Sequence, residues 1–456
     1  MTHPYIPNSV PKIQEEMLRE IGAKSIDEFF KCIPDDLQFK GRLAIPEPLL
    51  SEAALKRHVE GMADKNTPAT RVVSFLGGGC WNHYVPASCD EINGRSEFLT
   101  AYAGDPYEDH GRFQALFEYA SMMAELLEMD VVNIPTYDGA QAAGTALRMA
   151  CRITERSRVL VPALMSPDRL KVIRTYLHPQ IEVETIAADK ENLTLDLADL
   201  KAKLNDKTAA VFIENPAFLG VIETQGEKIS KLAHDAGALF VVWADPSSLG
   251  ALTPPSGYGA DIACGDIQPL GIHMHFGGGR GGYIASRDEA KYIEEYPSRL
   301  FGISPTTHGE WGFGDVAWER TSFAKREDAK EFVGTAAALW GITAGVYLAT
   351  MGPQGMADLG NGIMKRARYL ANALGKIKGV RVATNAPFFK EFPVTFEGKK
   401  VAEINEALLS RGIHGGHDLT PDYPNLKNSA LYCVNETMTK ADMDALVSAL
   451  SEILKG

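Results

Sequence analysis

The sequence predicts an α/β protein: a mainly parallel sheet with helices on both faces, followed by a smaller C-terminal α/β domain. Two observations lead there. From Arg71 onward, short and nearly unbroken apolar runs alternate with amphipathic stretches of helical spacing. Strands that are apolar on both faces need cover on both faces, which crossover helices supply. The composition agrees, since 45% of the 456 residues are hydrophobic, enough for two cores.

The elements follow in order. Residues 12–21 and 25–32 have helical spacing, the proline-bearing stretch PDDLQFKGRLAIPEP interrupts it, and Ser51 opens a further helix to residue 62. These form a helical arm, residues 1–65. In the next part, residues 66–330, strands are expected at 159–164, 181–186, 209–214, 238–244, 261–264 and 282–285. Helices are expected between them, one capped by Ser166 and others at 141–149, 197–204 and 228–236. The last part, residues 331–456, opens with a helix-rich stretch at 329–377. It continues with strands at 379–383, 391–396 and 430–434 and helices at 401–411 and 440–454.

Charge and cysteine usage narrow the function. A net charge of −13 argues against nucleic acid or an anionic membrane as the main partner. No apolar run reaches membrane-spanning length, and the first residues lack the basic-then-apolar order of a secretory signal. The six cysteines are scattered without a CxxC, as expected of reduced thiols in a cytoplasmic protein. His273 with His275, and His414 with His417, have no Cys or carboxylate at ligand spacing, so no metal site is predicted. The glycine-rich run 277–282 lacks the strand–GxGxxG–helix context of a nucleotide loop and reads as a tight turn. Gly77, Gly78 and Gly79 permit close backbone approach or an anion contact.

Several segments carry a resemblance. They are FLGGGCWNHYVP (75–86), RSEFLTAY (95–102), FQALFEYASMMAELLEMDVVN (113–133), YDGAQAA (137–143) and ADPSSLGALTPPSGYGADIACGD (244–266), then RGIHGG (411–416) and ALYCVNETMTKADMDALVSAL (430–450). Together, and in this order, they resemble subunit 1 of the two-subunit glycine decarboxylase, the P-protein of the glycine cleavage system. The resemblance implies the type I fold of pyridoxal-phosphate (PLP) dependent enzymes. It also implies an α2β2 assembly whose homologous partner carries an HK dipeptide that anchors PLP. In that family glycine is decarboxylated and its aminomethyl group passes to a lipoylated carrier protein. Here no lysine occurs between Lys231 and Lys291, and Gln268 and Pro269 fall where the HK belongs. The resemblance therefore implies PLP bound to the partner subunit, with this chain completing an interface active site.

Within that frame Tyr102 and His83 are the candidate catalytic contributors, a hydrogen-bond donor and a proton relay. Asn82, Tyr107 and Arg320 are candidate substrate contacts. Asp245, at the end of the 238–244 strand, either meets a pyridine nitrogen or caps the amides of Ser247 and Ser248. The family's usual loop after RSEFLTAY is replaced by AGDPYEDHG (103–111), and Trp81 stands at a family tyrosine. That departure keeps two alternatives open: a related heteromeric PLP enzyme acting on another amino acid or amine, and a non-catalytic scaffold or regulatory pseudoenzyme.

Overall fold

Unbroken runs of Val, Ile, Phe and Ala build the large sheet. It has seven strands, in the order Val131–Val132, Gly282–Ser286, Ile262–Asp266, Leu239–Trp243, Thr208–Glu214, Arg158–Pro162 and Glu182–Ile186. The last five pair in parallel, and Gly282–Ser286 runs antiparallel to both its neighbours. Every residue of Thr208–Glu214 is buried, so this strand lies at the centre of the two-faced core. The structure is a computed structural model and describes residues 5–98, 110–297, 299–331 and 337–455.

The crossover helices start at side-chain caps, of which Ser166 was expected. Ser166 Oγ accepts from the Arg169 N–H ahead of Pro167–Leu177, and Asp196 accepts two amides ahead of Leu197–Lys203. Gly139–Thr154 runs longer than the expected 141–149. Its small residues pack flat against the sheet, Asp138 caps its start, and Glu155 ends it in a left-handed conformation (φ 56°).

A second sheet is antiparallel, in the order Val380–Val382, Glu391–Phe396, Ser429–Cys433 and His417–Asp418. It shares a core with helices Val401–Leu409 and Lys440–Ile453. The chain ahead of the large sheet is stitched to this region. Val73–Ser74 pairs in parallel with Ile413–His414, and the Phe75 carbonyl accepts from the Cys433 N–H at 2.9 Å.

Three local expectations change. Residues 25–32 form only the 3-10 turn Ile26–Phe30. The helix-rich stretch becomes Ala338–Leu374, broken at Gly352 (φ 61°, ψ 178°) just before Pro353, which has no N–H to continue the ladder. The antiparallel pair Leu300–Pro305 and Trp311–Val316 was not expected, because Gly302, Gly312 and Gly314 dilute its apolar alternation. The chain divides into two compact units, Met1–Thr67 and Pro68–Gly456. Among the described residues no helix is long and apolar enough to cross a membrane.

Candidate functional site

The segment 77–84 leaves the stitched strand and crosses the ends of the large-sheet strands. Its backbone is held from several sides. Glu391 accepts from the Gly78 N–H at 2.6 Å and from the Trp81 indole N–H at 3.0 Å. Gln268 accepts from the Trp81 N–H at 3.1 Å, and its amide donates to the carbonyls of Trp81 and Ile272, both at 2.9 Å. Arg280 donates to the Gly79 carbonyl at 2.6 Å, and Asn435 to the Asn82 carbonyl at 3.0 Å. Gly77 is required for this path, because a Cβ there would lie 2.1 Å from the Glu391 carboxylate and 2.7 Å from Cys433 Cβ. Burial pushes the Glu391 carboxyl above its ordinary value, against the pull of the Gly78 and Trp81 donors.

At the centre lies a buried chain of charges. Asp245 ends the Leu239–Trp243 strand and is 3% exposed. One of its oxygens accepts from the Ser247 N–H at 3.0 Å and hydroxyl at 2.8 Å. The other meets the ammonium of Lys390 at 2.7 Å. Lys390, 2% exposed, reaches in from the residue before the Glu391–Phe396 strand. Its ammonium also donates to His83 Nε2 at 2.7 Å and lies 3.9 Å from the Trp81 ring centroid. A lysine ammonium only donates, so the His83 proton sits on Nδ1 and goes to Glu436, 2.9 Å away. Burial works against the Glu436 carboxylate, but His83 and the Tyr84 N–H outweigh it and hold it down at about 2.

The start of the Gly139–Thr154 helix is also engaged from within. Asp138 accepts from the Gln141 N–H at 2.8 Å, and Asp266 accepts from the Gly139 N–H at 3.1 Å. Asp266 takes the Gln268 N–H at 3.0 Å as well and pairs with Arg280 at 3.3 Å. Burial raises the Asp266 carboxyl, against the pull of Arg280 and these amides.

These residues do not fit PLP. The strand-end carboxylate that would meet a pyridine nitrogen already holds an ammonium. The helix start that would hold a phosphate already binds a carboxylate, and a dianion there would face Asp138 and Asp266. Lys390 is no substitute anchor. Its nitrogen contacts the carboxylate itself, leaving no room for a ring between them. Nor is there a ready nucleophile in the nearby thiols, since burial pushes Cys264 up to about 12. Among the described residues no group of His, Cys, Asp and Glu could hold a metal ion.

The sequence-derived candidates fall in different places. Tyr102 and Tyr107 lie outside the described residues. His83 is inside the charge chain with no side-chain exposure and both ring nitrogens engaged. Asn82 is half-buried beside it. Arg320 is buried and donates to the Tyr296 carbonyl at 2.7 Å. Gln268 is a buried clamp on Trp81, and Pro269 follows it in a turn. Sequence reasoning missed Lys390, Glu391 and Glu436. A Lys-Glu pair just before an apolar strand was the available signal, but nothing local says that it points inward.

With this geometry in hand, comparison with known proteins is direct. Residues 3–450 match the family model of the glycine cleavage system P-protein. The chain is 38% identical to a probable glycine dehydrogenase (decarboxylating) subunit 1 from Staphylothermus marinus, over 99% of this chain and 98% of that protein. A protein of the same name from Geobacillus kaustophilus is also 38% identical, over 99% of each chain. A crystal structure of glycine decarboxylase (P-protein) in inhibitor-bound form superposes with a TM-score of 0.87 at 35% identity, over 99% of this chain and all of that one. Sphingosine-1-phosphate lyase from Burkholderia pseudomallei shares the fold at a TM-score of 0.66 and 15% identity, covering 93% of this chain and 95% of that one.

Proposed function

The chain belongs to the glycine cleavage system P-protein family, with the type I fold of PLP-dependent enzymes, and from that premise we propose that it is the subunit of a glycine decarboxylase that does not hold the cofactor. It completes an active site at the interface with a homologous chain, in an α2β2 assembly, and PLP belongs to that partner. The observation that carries this reading is the Asp245–Lys390 ion pair, which occupies the carboxylate that a pyridine nitrogen would meet. The arm adds support. Taken by itself it buries none of its described residues, and Phe29, Phe30 and Leu50 stand exposed, an apolar face of the kind that packs against another surface.

In this reading Tyr102, Tyr107 and Asn82 are the residues that reach the shared site, and His83 positions the segment that carries Asn82. The arm (1–65), a large domain (66–330) and a small domain (331–456) are its functional parts. The assembly works in the cytoplasm, in keeping with six free cysteines, and a lipoylated protein takes the aminomethyl group. The altered stretch AGDPYEDHG favours one second reading, a heteromeric relative with another amino acid as substrate.

The test is co-expression with a homologous PLP-bearing chain, borohydride reduction and mapping of the labelled lysine. Label on the partner alone, with glycine-dependent exchange of bicarbonate into the glycine carboxyl group, is the expected result. Label on this chain overturns the reading, and a labelled partner without exchange selects the second one.

A further inference from the structure

We propose that this chain has replaced the cofactor with its own side chains: Lys390 supplies the cation, Trp81 the flat aromatic ring, and Asp266 the anion. The inference rests on the reading that PLP belongs to the partner.

Three features of the pocket are each matched by a residue of the chain. Asp245 calls for a cation, and Lys390 meets it at 2.7 Å. The space beside that contact calls for an aromatic ring, and Trp81, 4% exposed, lies 3.9 Å from the ammonium. Trp81 belongs to the same buried apolar cluster as Ala142, Ala143, Trp243 and Cys264. The N-terminus of the Gly139–Thr154 helix calls for an anion, and Asp266 takes its first N–H at 3.1 Å. Gly139 makes this approach possible, because a Cβ there would lie 2.9 Å from Asp266 Cβ.

The replacement also explains why the segment 77–84 is so firmly held. Trp81 and His83 both contact Lys390, so the lysine that fills the pocket also fixes the segment. A pocket merely emptied of cofactor would leave Asp245 as a buried, unpaired carboxylate, which is costly. An inward lysine removes that cost and keeps the surface that faces the partner in one shape.

The test is a thermal double-mutant cycle on the full chain with Asp245→Asn and Lys390→Met, joined by rescue of Lys390→Ala with ethylammonium chloride. Each single variant strands a buried charge or its partner, so each is expected to lower the melting temperature by about 5 °C. The double variant, which removes both charges, is expected to recover at least half of the loss. Ethylammonium is expected to raise the melting temperature of Lys390→Ala but not of the parent, relative to sodium chloride at equal ionic strength. Additive losses, or losses without rescue, overturn the proposal. If Lys390→Ala does not fold, the double variant alone decides, and a double variant worse than both singles overturns it. A borohydride-reducible PLP adduct on Lys390 of the parent chain also overturns it. An adduct on any other lysine of this chain sinks the reading about the partner while leaving the cycle intact, so the two failures are distinguishable.

Discussion

The pocket behind segment 77–84 and the arm up to Thr67 are opposites. In the pocket, polar and charged groups are buried and matched almost one to one: Asp245 with Lys390, His83 with Glu436, and Glu391 with Gly78 and Trp81. In the arm, apolar side chains such as Phe29, Leu37 and Leu50 are exposed, and no described residue is buried. The pocket is a closed site whose interactions are complete within the chain. The arm, taken by itself, buries none of its described apolar side chains.

Substitution of glycines separates the two regions most sharply. Gly77→Ala drives a methyl group into the Glu391 carboxylate and Cys433, both of them buried. A loss of about 3 kcal/mol is expected in denaturant unfolding of the full chain. A loss below about 1 kcal/mol would mean that segment 77–84 is loose, and the contrast would collapse.

Acid titration comes next. The Glu436 carboxyl has a folded value of about 2 against an ordinary 4.5. A carboxyl with a depressed folded value stabilises the fold above its unfolded value, and that stability is lost as pH falls through the folded value. Glu436 is therefore expected to contribute up to about 3 kcal/mol above pH ~5, lost progressively toward pH ~2. Glu436→Gln should remove that part of the acid dependence of unfolding. An unchanged acid limb would show that the His83 contact carries no stability.

The smallest effect belongs to the arm. Gly61 lies inside the helix Glu52–Ala63, and a Cβ there has no neighbour within 4 Å. Gly61→Ala is expected to raise the helicity of the isolated chain by circular dichroism, with a gain of about 1 kcal/mol or less in local stability. A destabilised protein would indicate that this helix face is already covered within the chain.

Much of the fold was legible because its signals are local. A cap such as Ser166, and apolar runs such as AAVFIE, are set by neighbours in sequence, and the elements they predicted fall within a few residues of those observed. The hairpin at 300–316 was not legible, because glycines thin out its alternation. The site divided in the same way. The absence of a lysine between Lys231 and Lys291 can be read directly from the chain, and so can Asp245 at a strand end. The presence of Lys390 beside that carboxylate cannot. His83 was read as a catalytic contributor and Arg320 as a substrate contact from their residue types, and only packing shows that both are buried and hydrogen-bonded within the chain.

The sequence by itself thus determined the α/β architecture, the family and the missing anchor, because periodicity, caps and motif order need no knowledge of distant contacts. Tertiary structure alone decided what occupies the pocket. Lys390 lies 145 positions beyond Asp245, and their pairing depends on two sheets packing so that one carries a cation to the strand ends of the other. No local pattern encodes that meeting. It follows from burial, where an unpaired carboxylate is costly and the side chain that reaches it fixes the role of the site.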